Sequence, residues 1–223
     1  RPKRATGRCE RPITALAERG VQYVEARCMD IDPWAPTGIT AETARFLDAF
    51  LLFCAAADSP PFPEDGRCQR SADNFATVVK RGREPGLMLD RDCMPIGLRQ
   101  WGEELLDRIA PYATLYDQTQ GGHAYAESLA TQRAKLADVD LTPSARLLRE
   151  VRESGLSFHD YTLRQSGEHA AALRAQALTA DRAAFYADME RKSIADNSAI
   201  EASDDVDFDT YVARCHEALN RPS

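Results

Sequence analysis

Apolar and polar positions alternate in one stretch of the chain and recur at intervals of three and four almost everywhere else. The alternating stretch runs from Val21 to Ile31 and is rich in β-branched and aromatic residues, so it predicts a strand over Tyr23 to Asp32. Side chains alternate across a strand, which puts Tyr23, Glu25, Arg27 and Met29 on one face and Val24, Ala26, Cys28 and Asp30 on the other. Two prolines and a glycine in Asp32 to Gly38 end the regular pattern. Thr40 is an N-cap candidate with Glu42 in the first turn, opening a helix from Ala41 to Asp58. Phe46, Leu47, Phe50, Leu51, Phe53 and Cys54 cover most of its circumference, so that helix is expected to be buried.

Ser59 to Pro63 ends it and starts a loop to about Ser71, followed by a short helix over Asp73 to Lys80 and a turn-rich stretch from Arg81 to Gly86. Leu98 to Leu115 is helical in pattern, and Pro111 is expected to kink or divide it. Further helices are predicted over Ala124 to Leu136, Ser144 to Ser154 after a Thr142 cap and Pro143, Gly167 to Leu178, Ala180 to Ile194 and Phe208 to Leu219. One strand among so many helices cannot form a stable sheet. Its partners are therefore expected from another chain or from a part of the protein outside these residues.

Composition narrows the class. With 223 residues, 43% hydrophobic and 28% charged, the chain suits a globular protein that buries roughly 70% of its unfolded surface. A net charge of -7 argues against nucleic acid or an anionic membrane surface as partner. The apolar run from Phe50 to Ala57 is too short to cross a bilayer. Six cysteines at 9, 28, 54, 68, 93 and 215 have neither zinc nor redox-pair spacing, so they read as plain thiols in a reducing cytoplasm. The basic opening Arg1-Pro2-Lys3-Arg4, without methionine, suits either a solvated terminus or the interior of a longer protein.

The candidate chemistry lies on the strand. Glu25 and Arg27 stand roughly 6.6 Å apart on one face, so both can reach the same phosphate group. A carboxylate can ligate Mg²⁺ that bridges to phosphate oxygens, and a guanidinium can bind the phosphate through its planar fork. Phosphoryl transfer uses both devices. On spacing alone, an ion pair or a solvated strand face is the commoner explanation of Glu-x-Arg.

The surrounding residues weigh the other way. Tyr23-Val24-Glu25-Ala26-Arg27-Cys28-Met29-Asp30-Ile31-Asp32-Pro33, followed by Pro36-Thr37-Gly38, resembles the signature of the proteobacterial glutamate–cysteine ligases. Further landmarks of that family are matched in order: Arg1-Pro2-Lys3-Arg4; Arg45-Phe46-Leu47-Asp48; Cys54 to Pro60; Asn74, Val78, Gly82-Arg83 and Pro85-Gly86-Leu87; Gly121-Gly122 with Ala124-Tyr125; Leu141-Thr142 with Ser144-Ala145-Arg146. The resemblance covers residues 1 to about 155 and is weaker over the last helices.

It implies an α+β, glutamine-synthetase-like carboxylate–amine ligase fold, of which this is a mostly helical C-terminal portion with one active-site strand. Residues 1–38 would be the strand region and 39–223 the helical region of a single catalytic domain whose N-terminal part is missing. The implied reaction, the first step of glutathione synthesis, couples the γ-carboxyl of glutamate to the amine of cysteine through a γ-glutamyl phosphate, with ATP as co-substrate and Mg²⁺ or Mn²⁺ as metal. Glu25 matches the family's metal-ligating glutamate and Arg27 the arginine that contacts the transferred phosphoryl group. Arg1, Lys3 and Arg4 are candidates to face nucleotide or substrate anion.

Other residues have blander readings. Tyr23 is expected to pack, Asp32 to set a turn, and Arg83 and Arg146 to form structural ion pairs or caps. No recognisable arrangement joins His123, His159, His169 and His216. The remaining metal carboxylates are expected in the missing part, so the 223 residues alone are expected to be inactive. The ending also argues against the bifunctional, glutathione-synthesising version of the family. Two other readings stand: a ligase coupling glutamate to a different amine, and a non-catalytic helical interaction domain that keeps the signature by descent.

Overall fold

The structure, a computed structural model, describes residues 2–7, 9–27, 29–58 and 66–220, with the side chain of 220 left out. The chain divides into two compact units: Arg1–Asp30 with Ala172–Ser223, and Ile31–Ala171.

In the first unit, β1 (Pro2–Lys3) pairs antiparallel with β2 (Tyr23–Val24), Lys3 opposite Tyr23 and Pro2 opposite Val24. Helix α1 (Pro12–Arg19) lies between them in sequence; it begins on a proline, and its Ala15 is fully buried. Gly20 ends α1 with φ 70, a conformation glycine adopts without penalty. Arg19 then grips Glu10 with both guanidinium nitrogens, at 2.7 and 2.9 Å, and Gly7 N–H donates to the same carboxylate at 2.6 Å. The Arg19 guanidinium and that backbone N–H hold the Glu10 carboxyl down at about 2. Helix α8 (Ala180–Ala202), capped by Thr179, and helix α9 (Phe208–Asn220) complete the unit.

Three expectations change here. The long strand shrinks to Tyr23–Val24, since its partner offers only two residues and a ladder extends no further than its pairing. That partner, β1, comes from the chain itself. Cys9 and Cys215, far apart in sequence, stand with Cα atoms 5.0 Å apart and are joined as a disulfide, while Cys54, Cys68 and Cys93 are free. Spacing could not show the pairing, because the closure depends on how α9 packs. Cys28 lies outside the described residues.

The second unit is built on α2 (Ala41–Ala56), α4 (Leu98–Gln120) and α5 (Ala124–Ala137), which bury Ala49, Phe53, Leu106, Ile109, Ala113 and Leu129 together. Thr40 caps α2 as expected, accepting from Thr43 N–H at 3.1 Å. Helix α2 buries Ala49 and Phe53 but leaves Cys54 exposed, so it is only partly enclosed. Pro111 neither kinks α4 into two elements nor ends it; one helix runs unbroken from Leu98 to Gln120. The lost backbone hydrogen bond is outweighed by the packing of Ile109 and Ala113 on either side. Near the end of α4, Asp117 is buried and accepts from the N–H groups of Tyr125 and Ala126 at 2.9 and 3.0 Å. It thereby caps α5, whose own preceding residue His123 provides no side-chain cap.

Helix α3 (Arg67–Arg81) starts earlier than the pattern suggested. After it comes a hairpin the pattern did not reveal, β3 (Met88–Arg91) and β4 (Met94–Gly97). Asp92 and Cys93 make its turn with φ of 54 and 67, and Asp90 steadies it by accepting from Cys93 N–H at 2.7 Å. The side chain of Asn74 on α3 pairs with the backbone of Asp90 in both directions, at 2.6 and 2.9 Å. A two-stranded hairpin alone is marginal, and this clamp replaces the missing third strand. Asn74→Ala should lower stability by about 1–2 kcal/mol and speed amide exchange of β3 ahead of α4; equal exchange in both proteins would argue against the clamp.

The unit closes with a 3-10 turn at Val139–Leu141, α6 (Pro143–Ser154), capped by Thr142, and α7 (Phe158–Arg174). The segment from Asp32 to Gly38 is a turn, as its sequence predicts: Asp32 accepts from Trp34 N–H at 2.9 Å, and Asp32 N–H donates to Gly38 at 2.9 Å. Its Trp34 ring N–H donates to Glu150 on α6 at 2.9 Å, and Arg146 stacks over the same ring at 3.8 Å while its Nε donates to Glu150 at 2.6 Å. Tyr161 of α7 donates its hydroxyl to Glu150, and His169 donates from Nε2 to the Pro33 carbonyl at 2.8 Å. Arg146 is thus the structural ion-pair partner it was expected to be.

Candidate functional site

Three of the four candidate residues that can be placed, Lys3, Glu25 and Arg27, gather where β1 faces β2. Pairing Lys3 with Tyr23 sets the register, and Gln22 N–H donates to the Lys3 carbonyl at 2.9 Å just beyond it. From that register Lys3 reaches Glu25, with Nζ 3.3 Å from the carboxylate. Arg27 reaches the same carboxylate from two residues on, at 2.9 Å. Glu25, Arg27 and Lys3 therefore form one cluster, half-exposed to solvent. Arg4 turns elsewhere, toward the Gly20 carbonyl at 3.4 Å, and serves the end of α1. Arg1 lies outside the described residues.

The electrostatics of the cluster follow from its composition. The Arg27 guanidinium, bonded to the Glu25 carboxylate, and Lys3 beside it together hold that carboxyl below its ordinary value. Glu25 is consequently an ionised acceptor at neutral pH, which is the state a divalent cation requires. Two cations sharing one carboxylate also leave the cluster with surplus positive charge, the sign that favours a phosphate group. The same three side chains thus offer an oxygen ligand and two anion-binding donors within one small volume.

A single carboxylate suits Mg²⁺, which keeps several waters and takes one or two protein carboxylates together with substrate phosphates. Among the described residues, no group of three or more His, Cys, Asp or Glu side chains converges as a metal cage. Tyr23 is 55% exposed rather than packed, and Asp32 is occupied in its turn. Arg83 forms no ion pair or hydrogen bond with any described residue, contrary to the structural role expected of it. Sequence reasoning missed one contribution, the Lys3–Glu25 contact; the signal was the Pro-Lys segment, whose pairing with Tyr23 depends on the intervening helix α1.

Comparison with known proteins bears on what this cluster is. The sequence model of the glutamate–cysteine ligase family matches residues 1–78, which include β1, β2 and the whole cluster. The glutamate–cysteine ligase of Bordetella parapertussis is 68% identical over 222 residues, covering 100% of this chain and 42% of its own length. That of Pseudomonas paraeruginosa is 54% identical, over 96% of this chain and 40% of the relative. A crystal structure of the glutamate–cysteine ligase of Francisella tularensis in complex with AMP superposes with a TM-score of 0.85 at 30% identity, over 98% of this chain and 43% of that one. The chain spans about two-fifths of the length of the relatives it matches. Its mostly helical architecture with few strands agrees with part of an α+β ligase fold. In sequence and in fold, the chain corresponds to a portion of a glutamate–cysteine ligase.

Proposed function

We propose that this chain forms part of an enzyme that joins the γ-carboxyl of glutamate to the amine of cysteine with consumption of ATP, giving γ-glutamylcysteine, the first step of glutathione synthesis. The observation that carries the reading is the Lys3–Glu25–Arg27 cluster inside the segment matched by the family. In this reading Glu25 is one ligand of a Mg²⁺ or Mn²⁺ ion, which neutralises phosphate charge when bound. Arg27 exchanges its contact with Glu25 for the transferred phosphoryl group and holds it in line between ATP and the glutamate carboxylate. Lys3 supplies a second, more mobile positive charge to the same anion. The amine of cysteine then displaces phosphate from the γ-glutamyl phosphate. The AMP held by the Francisella tularensis relative supports an adenine nucleotide as ligand here.

The fold proposed is of the glutamine-synthetase-like carboxylate–amine ligase type, and the compartment proposed is the cytoplasm. No helix among the described residues is long and apolar enough to cross a membrane.

The test is a coupled assay of ADP release with glutamate, cysteine and ATP. Protein of the relatives' full length should release ADP only when all three are present, and the 223-residue chain alone should release none, because one carboxylate cannot by itself fix a catalytic metal site. Turnover by the isolated chain, or full-length turnover with other amines in preference to cysteine, would reject the corresponding half of the proposal.

A further inference from the structure

The second unit contains a cleft of about 700 Å³ that the cluster around Glu25 does not use. Phe46 and Phe50 of α2, Leu105 and Ile109 of α4 and Leu136 of α5 make its walls mostly apolar. The loop from Gly82 to Leu87 and the first residues of α4 line it side by side, with Leu98 N–H donating to the Leu87 carbonyl at 2.9 Å. Its volume falls in the range of small-molecule sites, roughly 300–1,000 Å³.

Charge at the lip is uneven. Arg83 and Arg99 both line the cleft, are exposed, and form no ion pair or hydrogen bond with any described residue. Lys135 lines it as well, with only a neutral partner, Gln132, at 3.3 Å. Two acids are also present, and both are already engaged. Glu84 is gripped by Arg81 at 2.7 and 2.8 Å, and Asp138 accepts from Asp140 N–H at 2.9 Å to begin the 3-10 turn. No side chain caps the start of α4; its first N–H, that of Leu98, is the one taken up by the Leu87 carbonyl. An apolar cavity with unpaired guanidinium groups at its rim complements a molecule that is apolar in body and negative at one end.

We propose that this cleft binds a small amphipathic anion, an organic acid with a flat or branched apolar body whose acidic group meets Arg83 and Arg99. The apolar body displaces water from between α2, α4 and α5, and the two guanidinium groups fix its orientation. The proposal concerns the second unit alone and does not depend on the ligase reading. Its measurement is binding, not turnover.

The probe is the fluorescent anion anilinonaphthalene sulfonate, titrated into full-length protein with the neutral dye Nile red as control. One saturable site is expected for each. The double substitution Arg83→Gln with Arg99→Gln should weaken the anion about tenfold and leave the neutral dye and the melting temperature unchanged. Leu98→Trp, which fills the cleft from the first residue of α4, should weaken both dyes. Equal binding of the anion by the double variant, or failure of both dyes to bind because another part of the chain fills the cleft, would overturn the proposal.

Discussion

Replacing Glu25 by alanine in protein of full ligase length should lower ATP-dependent ligation at least about a hundredfold, with little change in melting temperature. The two halves of that expectation have separate causes. The carboxylate is half-exposed and its partners Lys3 and Arg27 are themselves solvated, so the pair contributes little to stability. Its value under the proposed function lies in charge placed where the phosphoryl group is transferred, and fixed charge of that kind stabilises a transition state more than most other devices an enzyme has. Arg27→Lys keeps the charge but loses the planar fork, so activity should fall by roughly tenfold or more. An ordinary surface ion pair predicts no loss in either variant. Unchanged ADP release by Glu25→Ala would favour a non-catalytic helical domain that merely retains the signature.

A second large effect is expected at Glu150, and it concerns folding. This carboxylate accepts from Trp34, Tyr161 and Arg146, which come from a turn and two helices. Glu150→Ala would leave the Trp34 ring N–H and the buried Tyr161 hydroxyl without their acceptor, at a cost of about 3 kcal/mol. Glu150→Gln keeps one acceptor oxygen and should cost less.

The pH dependence has a definite sign. The Tyr161 hydroxyl, then Arg146 and Trp34, hold the Glu150 carboxyl down from 4.5 to about 2. Burial, with the Glu150 charge beside it, pushes the Tyr161 phenol the other way, upward. A carboxyl lowered on folding contributes stability that is complete above its unfolded value and disappears as pH falls through the folded one. Denaturant midpoints of the native protein should therefore decline between about pH 4.5 and pH 2 more steeply than those of Glu150→Gln. Parallel curves for the two proteins would show that the carboxylate is not the group being titrated.

The residues that carry these two predictions were legible to different degrees. Glu25 and Arg27 could be nominated from spacing, because two residues on any extended backbone share a side, and they do meet at 2.9 Å. Whether they form a surface pair or a site was not legible from spacing; the surrounding motif supplied that reading. Glu150 could not be nominated at all. Two of its three partners stand 116 and 11 residues away, and the i,i+4 spacing to Arg146 gives no sign that a tryptophan from a distant turn will reach it.

What the sequence determined by itself was local. Thr40 and Thr142 as caps and the bond from Trp34 N–H to Asp32 that starts the Asp32–Gly38 turn each depend on neighbours within four residues. The tertiary structure decided the rest. It cut the Tyr23–Asp32 strand to two residues, supplied its partner from Pro2–Lys3, carried α4 through Pro111 and joined Cys9 to Cys215. It also gave Asn74 the part of a third strand. Each of these outcomes rests on pairing or burial between residues distant along the chain, where local propensity amounts to tenths of a kilocalorie and packing to whole ones. The cluster just beyond β2 belongs to both levels: periodicity set the spacing of Glu25 and Arg27, and only the fold brought Lys3 to Glu25.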